Sequence, residues 1–134
     1  MVSSEAHPFA KTGGLADVVG ALPIALKEHG DEAAVVLPRY RSISLDGCEL
    51  VYGALRVWLG RGYHEVDIWA RRHRDVTFYF VDHPGLYDRG GFYGDQNGDF
   101  GDNAIRYAVL CGAAIGIARY LFRPDVFHCH DWQA

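Results

Sequence analysis

The chain has 134 residues, 49% hydrophobic and 22% charged, with 16 glycines, 5 prolines and a formal net charge of -4. That length suits one core of ordinary size, and the composition is too apolar for a disordered chain and lacks the glycine period of a fibrous one. An acidic balance without a basic run excludes a dedicated nucleic-acid or membrane-surface binder, which needs clustered Lys and Arg to meet phosphate.

The densest basic group, Arg71, Arg72 and Arg74, is interrupted by His73 and followed by Asp75, and reads as a solvated strand end. Cys48, Cys111 and Cys129 cannot all pair within one chain, and a core of this size needs no staple, so a reducing, cytoplasmic setting is expected. Met1 to Pro8 holds Glu5 and His7 and no apolar stretch, so no signal peptide reads there. The longest run without a charge, Tyr107 to Ala118, falls short of the roughly 18–20 apolar residues that span a bilayer, and no membrane partner is expected.

In chain order, Lys11-Thr12-Gly13-Gly14 reads as a loop feeding a helix from about Leu15 to His29. Its apolar positions Leu15, Val18, Val19, Leu22, Ala25 and Leu26 recur at helical spacing, and Gly30 offers a stop. Pro23 lies inside the pattern and is expected to kink or split the helix, because its ring removes a donor and crowds the preceding turn. Ala33 to Leu37 is continuously apolar and closed by Pro38, the character of a strand buried on both faces of a parallel sheet. Leu50–Leu59, His64–Ala70 and Val76–Val81 are rich in β-branched and aromatic residues and read as antiparallel strands attached to that sheet.

From Asp82 to Asp102 the spacing predicts a long loop with six glycines, a kind that is often functional or mobile. Asp102 or Asn103 is placed to cap a helix running to about Phe122, ended by Pro124. That helix carries Ala108, Gly112, Ala113, Ala114, Gly116 and Ala118, small residues that suit close approach to a sheet. Val126 to His130 reads as a final strand. The expected class is α/β, a mostly parallel sheet with an antiparallel hairpin extension. A βα unit opening on a glycine loop wants a buried strand of about five residues before it. Only Val2-Ser3-Ser4 precedes Glu5, and the chain stops just after His130, so truncation at both ends is expected.

Three constellations could carry chemistry. In Lys11 to Asp17, two glycines let the backbone approach a ligand, a helix start offers free amides and a positive dipole end, and Lys11 adds a cation, a combination that suits phosphate or pyrophosphate. It is neither a Walker A loop nor the dinucleotide fingerprint, and a plain turn with a solvated Lys remains open. Asp17 is either a helix-dipole carboxylate or an acceptor for sugar hydroxyls. On a strand, His128 and His130 would share a face and could share a metal, but no further ligands complete a shell. The end of a parallel strand is also where α/β sheets bind ligands without a metal, and that reading is the stronger. Asp102 either caps its helix or faces a ligand, and Tyr87, Phe92 and Tyr93 either stack on sugars or anchor their loop.

The run from Ser4 to Pro23, with its Lys11-Thr12-Gly13-Gly14-Leu15 element, resembles the amino-terminal signature of bacterial glycogen synthases and plant starch synthases. The resemblance continues through Val36–Tyr40, Tyr87-Asp88-Arg89, Asp102 to Tyr107 and His128 to Gln133, spanning nearly the whole chain in order. It implies the Rossmann-like N-terminal half of a GT-B glycosyltransferase that transfers glucose from an ADP-glucose donor, with retention, to the non-reducing end of an α-1,4-glucan acceptor. It further implies that Lys11, Gly13 and Gly14 hold the donor's diphosphate and glucose with Asp17 nearby. The catalytic residues it implies are His130, which would contact the glucose with its backbone carbonyl facing the reacting carbon, and Asp102, which would line the same cleft. No metal or other cofactor is implied. The C-terminal Rossmann-like domain that supplies the rest of the site is missing, so catalysis by this chain alone is not expected. The alternatives from other classes are a non-catalytic glucan-binding or regulatory module, motivated by the loop aromatics, and a His-x-His metal hydrolase.

Overall fold

A computed structural model describes all residues from Met1 to Ala134. Its elements are α1 (Gly14–Glu28), β1 (Ala34–Pro38), β2 (Glu49–Leu59), β3 (Gly62–His73), β4 (Val76–Asp82), α2 (Pro84–Tyr87), β5 (Gly94–Asp95), β6 (Gly98–Asp99) and α3 (Asn103–Tyr120). The sheet is mixed, in the order β1-β4-β3-β2. β1 pairs parallel with β4, and β4 with β3 and β3 with β2 are antiparallel. The apolar run predicted to be a doubly covered parallel strand is one: every residue of β1 is buried.

Beyond β1 the parallel part continues through single bridges, with Val2 paired to Val36 on one side and to Cys129 on the other. Val2 donates to the His128 carbonyl at 2.9 Å, and the His130 amide donates back to the Val2 carbonyl at 3.0 Å. The segment predicted as a strand from Val126 to His130 is therefore one rung at Cys129, because residues 1–3 offer it no longer ladder.

The two long helices take opposite faces. α3 lies over β2, where Gly112 and Gly116 meet Val57 and Leu55 so closely that a Cβ on Gly112 would stand 2.4 Å from Val57 Cγ1. The small residues predicted to allow close approach do so. Phe9, in the segment that leads into α1, packs at about 5 Å on Phe78 and Phe80, which alternation turns to the other face of β4. Between the layers lie Val35, Leu37, Val66, Ile68, Phe78, Phe80, Val109 and Leu110, all buried.

Pro23 does not kink or split α1, which runs unbroken from Gly14 to Glu28. The ring is buried on the same stripe as Ala16 and Val19, and packing of that stripe outweighs one lost hydrogen bond, since helices in proteins owe more to tertiary burial than to local propensity. The 82–102 segment also differs from a structureless loop. It contains α2 and the two-rung β5–β6 hairpin, where Gly94 stands so close to Gly98 that a Cβ would lie 2.3 Å from its carbonyl oxygen.

Candidate functional site

Parallel strands set the site. The C-terminal ends of residues 2–4, β1 and the 128–130 segment lie along one edge of the sheet, which is where open α/β sheets bind ligands. The glycine loop sits on this edge. Gly13 occupies the N-cap of α1 in extended conformation, and no side chain caps the helix. Gly13 and Gly14 are exposed and a Cβ on either would meet nothing, so backbone access rather than internal packing is what glycine provides here.

Beneath the loop lies Glu5, buried, with both carboxylate oxygens occupied. Oε2 accepts from the Thr12 amide at 2.5 Å and the Gly13 amide at 3.2 Å, and Oε1 accepts from the Thr12 hydroxyl at 2.5 Å and the Tyr93 hydroxyl at 2.5 Å. Burial pushes the Glu5 carboxyl up, and these hydrogen bonds together outweigh it and hold the group below its ordinary value. Burial and the Glu5 bond push the Tyr93 phenol well above its ordinary value, so it remains a donor.

Lys11 reaches Asp17 at 2.6 Å, an exposed pair in which each side chain keeps about half its surface in water, 48% and 57%. The structure thus brings Lys11, Gly13, Gly14 and Asp17 together, with Asp17 engaging the cation rather than standing alone as a dipole partner.

Asp102 occupies the N-cap of α3 but makes no side-chain cap bond, so the capping expectation is met by position only. Its carboxylate instead holds Arg89 with two bonds, 2.7 Å and 2.5 Å. The Arg89 guanidinium keeps the Asp102 carboxyl below its ordinary value, with burial opposing. A bidentate charged pair is the stronger partner, and it outcompetes a single amide of the first turn.

His130 is buried. Its Nε2 has no partner, and its ring stacks on His128 at 4.2 Å. Burial first, then the His128 ring and the amino terminus, lower its pKa, so the imidazole is neutral near pH 7. No group of three or more His, Cys, Asp and Glu side chains converges to hold a metal, at His128 and His130 or elsewhere. After His130 the backbone turns left-handed at Asp131, φ 64°, and the Trp132 amide donates to Asp131 Oδ1 at 2.8 Å. Trp132 then lies edge-on to Tyr107 at 5.3 Å and 6.3 Å from Tyr93.

Two residues organise the site: Tyr93, one of the loop aromatics whose anchoring the sequence left open, and Arg106, which carries no local signal. Tyr93 ties the parts together: its hydroxyl bonds Glu5 and Ser4, and its carbonyl accepts from Asn103 Nδ2 at 2.7 Å. Arg106 is fully buried and clamps the loop, donating to the carbonyls of Leu86 and Phe92 and to Asn103 Oδ1. The three loop aromatics are anchors: Tyr87 is buried, Phe92 stacks on Tyr40 at 4.2 Å, and Tyr93 reaches Glu5.

A Rossmann-like α/β domain with a braced, uncapped glycine loop and a cation on its ligand edge defines a class, that of α/β domains whose ligand edge opens onto a free helix N-terminus, an arrangement that in general suits anions. The sequence matches the starch synthase catalytic domain family over residues 1–134. The chain belongs to that family. It is 44% identical over 133 residues to a glycogen synthase of Koribacter versatilis and 43% over 138 residues to one of Treponema denticola, covering 98% and 100% of this chain. It spans 28% of the length of those relatives. A solved structure, the catalytic domain of starch synthase IV from Arabidopsis thaliana bound to ADP and acarbose, superposes with a TM-score of 0.83 at 29% identity, covering 98% of this chain and 27% of that one. No helix is long and apolar enough to cross a membrane.

Proposed function

We propose that this chain is part of the N-terminal domain of a glycogen or starch synthase, which transfers glucose from ADP-glucose to the non-reducing 4-hydroxyl of an α-1,4-glucan with retention of configuration. The observation that carries the reading is the glycine loop, braced from below by Glu5 and open above. In the reaction the bond from the anomeric carbon to the diphosphate breaks, the diphosphate takes the electron pair, and the acceptor oxygen bonds to that carbon and gives up its proton to the departing diphosphate. Lys11 and the first-turn amides of α1 meet the charge that grows on the diphosphate, where preorganised donors act without reorganising. Arrival of the diphosphate takes Lys11 from Asp17 and leaves that carboxylate free for a sugar hydroxyl. His130, neutral and with an unpartnered Nε2, suits a contact with the uncharged glucose, beside its own carbonyl. Asp102, with both oxygens on Arg89, acts as a positioning residue for the loop. The acceptor's remaining contacts and the nucleotide's base pocket belong to a C-terminal Rossmann-like domain, and the 134 residues alone are inactive.

The test is glucose incorporation from labelled ADP-glucose into glycogen by the full-length protein that carries this sequence. Incorporation is expected, with a loss of tenfold or more in Lys11→Ala. Undiminished activity in Lys11→Ala sinks the donor-site assignment, and no incorporation with any nucleotide-glucose sinks the function.

A further inference from the structure

The β2–β3 hairpin carries a surface that the donor site does not use. Across the two strands Trp58 stands opposite Tyr63 and Arg56 opposite Glu65, while the alternating Leu55 and Val57 are buried under α3. The four side chains therefore share the face that α3 leaves open. The Trp58 and Tyr63 rings meet at 5.0 Å and 56°. The Arg56 guanidinium lies 4.9 Å from the Tyr63 ring centroid and donates to Glu65 Oε1 at 3.1 Å. Trp58 is 64% exposed and Tyr63 45%, the large surface of an aromatic pair left in water at the tip of an edge strand.

We propose that this platform is a second glucan-binding site, outside the transfer cleft, for the α-1,4-glucan that serves as acceptor. It rests on the glucan-transferring function above. A sugar ring offers a flat face of C–H groups and a rim of hydroxyls. Aromatic rings take the former, and a guanidinium fork beside a carboxylate gives adjacent donors and acceptors for the latter. A protein surface seated here would have to desolvate Arg56 and Glu65, whereas hydroxyls satisfy both.

Position supports the same occupant. Pairing of β3 with β4 ends at Asp67 opposite Asp82, so the hairpin runs on past the end of β4, Tyr63 standing about 13 Å beyond Asp67 at strand rise. That is the edge of the sheet that carries the glycine loop. From Val2 to β2 is four strand spacings, about 19 Å. A polymer held on the platform stays within reach of the cleft, and tethering raises the effective concentration of its ends.

The test is affinity electrophoresis, in gels cast with glycogen, of the full-length protein that carries this sequence, backed by titration with maltoheptaose, with cellohexaose as the β-linked control and a parallel titration with ADP-glucose. Retardation by glycogen is expected. It should weaken about tenfold in Trp58→Ala/Tyr63→Ala, survive in Trp58→Phe/Tyr63→Phe, and survive in Tyr120→Ala, which removes an exposed aromatic elsewhere. Equal retardation of the double alanine variant, or equal binding of cellohexaose, overturns the platform while leaving ADP-glucose binding and the donor-site reading intact. Sedimentation that shows a dimer dissolved by the double alanine variant also overturns it, because the rings would then cover a second copy. A full-length protein that binds neither ADP-glucose nor any glucan removes the function on which the platform rests. If the double alanine variant fails to fold, Trp58→Lys alone carries the same comparison.

Discussion

Glu5 and Tyr93, 88 positions apart, share a 2.5 Å hydrogen bond that joins the glycine loop to the glycine-rich segment before α3. The carboxylate also holds the Thr12 and Gly13 amides, so one buried charge sets the height of the loop and the position of the segment facing it. Any ligand entering above Gly13 meets a backbone already fixed from below.

Removing either partner should therefore cost more than a surface bond. Hydrogen bonds to charged groups contribute about 1.5–3 kcal/mol, and Tyr93→Phe keeps the ring while deleting one of them. Tyr93→Phe is expected to lower unfolding free energy by about 1.5 kcal/mol. Glu5→Gln, which mismatches a donor against the amides, should cost more. Urea unfolding of the three chains checks the order, and a Tyr93→Phe protein as stable as the parent would show the bond to be incidental.

The same groups fix the response to acid. Glu5 and Asp102 titrate below their ordinary values of 4.5 and 3.8 in the folded chain, so they contribute stability that is present above those values and lost as pH falls through the lower, folded ones. His130 is lowered from 6.5 by burial, so protonating it opposes the fold, and its contribution is whole above pH 6.5 and declines below. Urea midpoints measured downward from pH 7 should fall in two stages. Glu5→Gln should flatten the stage below pH 4.5 and leave the one that begins near 6.5.

Much of this architecture is legible in the residue order, for a physical reason that also marks where it stops. β1 shows itself because a strand covered on both faces must be apolar throughout, and β2 to β4 because β-branched and aromatic residues alternate over lengths typical of strands. The Lys11 to Asp17 element is legible because its parts are neighbours in sequence. Tyr93 stands out as a loop aromatic but its partner does not, and Glu5 and Arg106 are not legible, since each acts on partners that only the fold brings near. Asp102 misleads for a related reason: a local rule nominates it as a cap, and Arg89, 13 positions away, offers a better bond. At Pro23 and at Val126 to His130 the local pattern is real, and tertiary circumstance decides otherwise.

Lys11 and Asp17 make separable predictions. The pair is exposed on both sides, and such ion pairs contribute at most about 1 kcal/mol, so Lys11→Ala should leave the urea midpoint nearly unchanged. Its effect belongs to ligand binding. Titration of the full-length protein with ADP-glucose should show affinity about tenfold weaker in Lys11→Ala. Asp17→Ala should weaken the glucose-bearing donor more than ADP, the outcome that the proposed sugar contact requires. Equal losses for both ligands in Asp17→Ala would place it on the diphosphate instead.

Gly112 tests the packing of α3 on the sheet. Alanine gains about 1 kcal/mol over glycine in a helix interior, but here the new methyl would stand 2.4 Å from Val57 Cγ1, on a side chain stiff at χ1. Overpacking of this kind costs about 1–3 kcal/mol, so Gly112→Ala should be destabilising by about 1 kcal/mol on balance. Val57→Ala should rescue it, with the double variant more stable than the sum of the singles. Strict additivity in that cycle would mean that the two residues do not touch.

Arg106 tests whether the loop over the site is held or merely present. Its guanidinium is fully buried and reaches Leu86, Phe92 and Asn103 from three directions, a task for a planar fork that the single ammonium of lysine cannot match. Arg106→Lys retains the charge and leaves buried carbonyls without donors, each at a cost of about 1–3 kcal/mol. The expected loss is about 3 kcal/mol, concentrated in the loop. Amide exchange should accelerate from Leu86 to Asn103 before it does in β1 or β4, since local opening needs less free energy than global unfolding. Uniform acceleration through the sheet would mean that Arg106 supports the core as a whole and not the segment that faces the glycine loop.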